Sequence, residues 1–102
     1  MSDKTCSNIH EGHRKRLRES YIKSNGSDAL RDHQLLELLL FYAIPRRDVN
    51  PLAHRLVNRF GSLRGVLEAS FSELAEEGVS QSTAILITLV GDINFRAKIA
   101  DA

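Results

Sequence analysis

The sequence predicts an all-α fold, a compact bundle of about five or six short helices, on three observations. Apolar residues recur at spacings of three and four in every periodic segment. Capping residues, glycines and prolines stand where those periodic segments begin and end. No segment alternates apolar and polar residues with period two, so nothing argues for a strand.

The elements follow in order. "HEGHRKRLRESYIKSNG" sets His13, Leu17 and Tyr21 on one face of a helix over about 11–24, with Gly26 as its terminator. Asp32 is the expected N-cap of "HQLLELLLFYA", which is apolar nearly all round and reads as the buried central helix; Pro45 stops it. Its one charge, Glu37, needs a partner, and Arg47 or a helix N-terminus is expected to supply it. In "NPLAHRLVNRFG", Asn50 caps, Pro51 takes the first helical position, Leu52, Leu56 and Phe60 repeat, and Gly61 closes the end. A short helix follows Ser62, and Ser70 with Glu73 has capping-box spacing before a helix that Gly78 ends. The last helix, about 81–99, is expected to turn Ala84, Ile85, Leu89, Ile93 and Ile99 to the core, with Gly91 as a tolerated weak point.

With 102 residues, 42% apolar and 26% charged, the chain fits one ordinary domain. Residues 1–9 are expected to be a flexible N-terminus and 10–102 the helical domain. A single cysteine, Cys6, fits a reducing compartment, and neither a signal sequence nor a bilayer-length apolar run is present. The expected setting is cytoplasmic. The net charge of +1 hides an asymmetry: residues 1–64 hold twelve Lys and Arg against seven Asp and Glu, residues 65–102 two against six. An anionic partner would meet the first half.

Two stretches carry that possibility. On a helix, Arg14, Lys15 and Arg18 share a flank beside Leu17, and "PRRD" adds Arg46 and Arg47 in a turn, with Arg55 and Arg59 on the helix beyond. Such cations neutralise phosphates without reading sequence; the plainer reading is a solvated face paired with Glu11 and Glu19. The second stretch is "EEGVSQSTA", where Gly78, Val79, Ser80 and Ala84 fill the places of a helix-hairpin-helix turn: a tight turn, an apolar plug, and a small residue for close approach. Serine replaces the usual second glycine, and its oxygen can cap an N–H that a phosphate would otherwise accept. Glu76, Glu77 and Asp92 flank the turn with no cation between residues 65 and 95, so a degenerate, structural hairpin is expected.

Catalytic and metal chemistry find no footing in the sequence. His10, Glu11 and His13 do not have the i,i+4 histidine spacing of a helical metal site, His33 and His54 stand alone, and no serine or cysteine sits in a nucleophile context. The expectation is no enzyme, no cofactor, no metal, no small-molecule substrate and no membrane.

"GHRKRLRE", "DHQLLELLLFYAIPRRDVNPLAHRLVNRFGSLRGVLEASFSELA" and "GVSQSTA" together resemble the N-terminal domain of the RadC family, bacterial proteins named for DNA repair, over about residues 10–97. The resemblance implies a helical domain that precedes a JAB/MPN-like metallopeptidase domain, with DNA binding ascribed to the hairpin at Gly78, Val79, Ser80 and Ala84. A His-x-His followed by an aspartate at metal-site spacing, which the metallopeptidase half would bring, is absent. The function expected is therefore a non-catalytic module that binds DNA without sequence preference. The alternative is an interaction domain that forms a homodimer or docks the metallopeptidase-like half.

Overall fold

The computed structural model describes residues 2–24 and 30–101, with side chains over 11–24 and 30–100. The expected terminator Gly26, and the side chains of Cys6 and His10, lie outside the described residues. Among the described residues all regular structure is helical: α1 Ser2–Lys23, α2 Asp32–Ala43, α3 Asn50–Phe60, α4 Leu63–Leu67, α5 Phe71–Glu76 and α6 Gln81–Asp101. Helix α1 thus starts at Ser2 rather than near residue 11. The chain divides into two units, Met1–His54 and Arg55–Ala102, with the boundary inside α3.

In the first unit α1 packs on α2. Leu17, Leu36, Leu40, Phe41, Val49 and Ala53 are buried, whereas Tyr21, placed on the same stripe by its spacing, stays exposed. The N-cap of α2 is Arg31, not Asp32; the Arg31 N–H donates to the Gln34 side chain at 2.9 Å, and Asp32 lies in the first turn, where a carboxylate favours the helix dipole. Asn50 does not cap α3 with its own side chain. Asp48 Oδ1 accepts the Asn50 N–H at 3.0 Å, which leaves the Asn50 amide free to reach inward.

In the second unit α4 and α5 pack on α6. The core is Leu56, Val66, Ala69, Leu74, Val79, Ala84 and Ile87. Punctuation follows the sequence closely here. Ser62 accepts the Gly65 N–H at 3.0 Å, Ser70 and Glu73 exchange both bonds of a capping box, and Gly61 and Gly78 take φ of 87° and 82°, which side chains avoid.

The core face of α6 holds Ala84, as expected, but not the isoleucines and leucine expected beside it. Thr83, Ala84 and Ile87 are buried, while Ile85, Leu89, Ile93 and Ile99 are 48%, 49%, 59% and 57% exposed. The reason is steric. A Cβ at Gly91 would stand 2.6 Å from the Leu67 carbonyl oxygen, so α4 closes on the face of α6 that carries small residues, and the branched side chains turn away. Gly91 is a contact point, not a weak point.

Candidate nucleic-acid interface

Arg14 heads the cations expected to face solvent, and it is only 8% exposed. Its Nη1 donates to the Phe41 carbonyl at 3.1 Å, and its Nη2 to the Ile44 and Arg47 carbonyls, each at 2.7 Å. The guanidinium lies 4.6 Å from the centre of the Phe41 ring. These carbonyls belong to the end of α2 and the turn after it, where Pro45 prevents the helix from continuing. Arg14 therefore caps α2 from α1, with its charge at the negative end of the helix dipole. Burial lowers its pKa, and the charge of Arg18 adds to this, against Asp48 and Glu37. A guanidinium stays charged through such a shift.

The clamp takes Arg14 out of reach of phosphate and gives it another part. It holds the main chain of Arg47, in the "PRR" turn, against α1. Lys15, Arg18, Arg46 and Arg47 are exposed, and none has an ion pair among the described residues. Among the described residues, Glu11 and Glu19 form no ion pair with these cations.

Beneath this surface Glu37 is 1% exposed. Its Oε1 lies 2.6 Å from His13 Nε2, and its Oε2 accepts from the Asn50 amide at 3.3 Å. The expected partner, Arg47, is turned outward; the α3 N-terminus does serve, through a side chain instead of backbone N–H groups. His33 and His54 stack with ring centres 3.9 Å apart. Burial, then the neighbouring His54, lowers the His33 pKa.

In the second unit the arginines of α3 and α4 are paired. Arg55 donates to Glu77 Oε1 at 3.2 Å and to the Glu77 carbonyl at 2.7 Å; Arg59 reaches Glu77 Oε2 at 2.6 Å and Glu76 Oε1 at 2.8 Å; Arg64 pairs with Glu68 at 3.1 Å. Sequence reasoning about the α5–α6 turn missed Arg55 and Arg59. The acidic flank it described is neutralised from α3, and the only available signal was the i,i+4 spacing of the two arginines on one helix face.

At that turn Gly78 is left-handed, Val79 is buried and donates its N–H to the Leu74 carbonyl at 3.1 Å, and Ala84 is buried. Ser80 Oγ accepts the Thr83 N–H at 3.4 Å and donates to Thr83 Oγ1 at 3.1 Å. The serine is thus engaged with the first turn of α6. An open cleft of about 560 Å³ between α4 and α6 carries Arg64 and Lys98 beside Glu68 and Asp92, a mixture that selects neither sign of ligand. No three His, Cys, Asp or Glu side chains among the described residues gather as metal ligands.

The chain is 40% identical over 85 residues, 82% of its length, to a UPF0758 protein of Fusobacterium nucleatum subsp. nucleatum. It is 51% identical over 71 residues, 69% of its length, to a UPF0758 protein of Ruegeria pomeroyi. These relatives support the RadC family for this chain. The RadC-like chain spans about a third of the curated relatives it matches, 36% of the first and 31% of the second. No family model and no solved structure matches it. Among the described residues, no helix of the RadC-like chain is long and apolar enough to cross a membrane.

Proposed function

We propose that this chain is a non-catalytic, cytoplasmic DNA-binding module of a RadC-family protein, and that it holds the phosphate backbone through Lys15, Arg18, Arg46 and Arg47. The observation that carries this reading is the contrast in pairing. Arg55, Arg59 and Arg64 are neutralised by glutamates, whereas Lys15, Arg18, Arg46 and Arg47, on α1 and on the turn that Arg14 ties to it, have no ion pair among the described residues. Cations held without counterions suit a partner that brings its own negative charge. The α5–α6 turn serves as a degenerate helix-hairpin-helix whose Ser80 closes on itself, so it positions the module without gripping the backbone.

Fluorescence anisotropy with labelled single-stranded or branched DNA tests this. Four phosphate contacts predict that affinity falls roughly 100-fold between about 50 and 200 mM salt. Lys15→Ala/Arg18→Ala and Arg46→Ala/Arg47→Ala should each lower the salt slope by about 2, and Ser80→Gly should leave affinity unchanged. No binding at low salt would end the DNA reading.

A second reading has its own observation. The outward apolar face of α6, Ile85, Leu89, Ile93 and Ile99, favours an interaction domain.

A further inference from the structure

Helix α6 is apolar on two opposite faces. At about 100° per residue, the buried Thr83, Ala84 and Ile87 define one side, and Ile85, Leu89, Ile93 and Ile99 cluster around the opposite side, with Phe95 on the flank, 65% exposed. A soluble helix with a single packed face keeps its other face polar, and one that is apolar on both sides is covered on both. Two charges sit in the middle of the outward stripe, Asp92 and Arg96. They are spaced to pair along the helix, yet neither has an ion pair among the described residues.

We propose that a second copy of this chain covers this face, α6 against α6 in antiparallel orientation, with a two-fold axis level with residue 94. This rests on the interaction reading above and names its partner. The face is self-complementary. In an antiparallel pair related by a two-fold axis, residues equidistant from the pivot stand at the same height on the two helices. With the pivot at residue 94, Asp92 meets the second copy's Arg96, and Leu89 meets its Ile99. Ile93 and Phe95, either side of the pivot, each lie beside their own counterparts. One register therefore pairs opposite charges and layers apolar side chains together. A parallel arrangement sets Asp92 on Asp92 and Arg96 on Arg96, and moving the antiparallel pivot to residue 92 sets Asp92 on itself. Both place like charges in an apolar seam.

Sedimentation equilibrium of the full chain across the micromolar range decides the matter, with helicity by circular dichroism recorded for each variant. The parent is expected to move from 11.4 kDa towards twice that mass. Asp92→Arg should weaken self-association at least about tenfold, and Asp92→Arg/Arg96→Asp, which restores opposite charges across the seam, should recover it to within about threefold. Both positions are exposed, and the double variant keeps the parent's composition of charge, so it remains informative if a single variant loses helix. A dimer indifferent to Asp92→Arg, or one the double variant fails to recover, would overturn the proposal. So would a parent monomeric at every concentration. In that last case a hydrophobic dye separates two outcomes: binding lost in Leu89→Ser/Ile93→Ser would leave the face to a different partner, and no binding would remove the interaction reading as well.

Discussion

Arg14 lies within a run of cations, and nothing in its immediate neighbours separates it from Lys15 or Arg18. Its burial follows from register. Arg14 and Leu17 are spaced by three, so the arginine falls on the stripe that α1 turns towards α2, where the carbonyls from Phe41 onwards need donors. Arg14→Ala should therefore destabilise the chain by about 3 kcal/mol, since it leaves buried carbonyls unpaired. Arg14→Lys should recover only part of this, because an ammonium lacks the planar fork that spans three acceptors. Urea unfolding midpoints measure both. Equal midpoints for Arg14→Ala and parent would return Arg14 to the set of solvent-facing cations, and DNA affinity restored by Arg14→Lys without restored stability would point the same way.

At the scale of elements, α6 separates what periodicity shows from what packing selects. Its sequence offers two apolar faces of similar quality, and small residues decide between them: Thr83, Ala84 and Gly91 allow α4 and α5 to come close. This reverses an ordinary rule. Glycine in a helix interior costs about 0.5–1 kcal/mol relative to alanine, so Gly91→Ala would stabilise α6 if the site were open. With the Leu67 oxygen 2.6 Å from the new Cβ, α4 must shift, and a loss of about 1–3 kcal/mol is expected. Thermal melting gives the sign directly, and a raised midpoint would show that α4 does not close on Gly91. By contrast the caps at Ser62 and Ser70 were legible from sequence, because a capping box involves residues only three apart and depends on no distant partner.

Across the whole molecule, the response to acid follows from two groups held below their usual pKa. His33 is depressed by burial and then by His54, and Glu73 is depressed by hydrogen bonds from the Ser70 backbone and side chain. In each case the unfolded chain takes up its proton at a higher pH than the folded chain, so the contribution to stability is present above the unfolded pKa and lost as pH falls towards the folded value. Stability should be level above about pH 7, decline as pH drops below the ordinary histidine value of 6.5, and decline again below 4.5. Denaturant midpoints across this range measure the profile. His33→Asn should remove the first decline and keep the second; a first decline that persists in His33→Asn would assign it to another group. The charge asymmetry between the chain's halves, visible in composition, gains its meaning at this scale as well, because the glutamates of the second half neutralise Arg55, Arg59 and Arg64, while Lys15, Arg18, Arg46 and Arg47 have no ion pair among the described residues.

The all-helical class, the number of helices and most of their ends were determined by sequence alone, because periodicity and capping act over three or four residues. The RadC resemblance was legible for the same reason, carried by a contiguous block from Asp32 to Ala75. Tertiary structure decided which partner answers Glu37, which cation is buried, which arginines meet Glu76 and Glu77, and which face of α6 turns inward. Each depends on groups 13 or more residues apart brought together by packing, as His13 and Glu37 are across 24 positions and Arg14 and Arg47 across 33. A local pattern records that a buried carboxylate or a helix end needs a partner; only the folded chain selects it, because the choice is made by which surfaces can approach closely enough to exclude water.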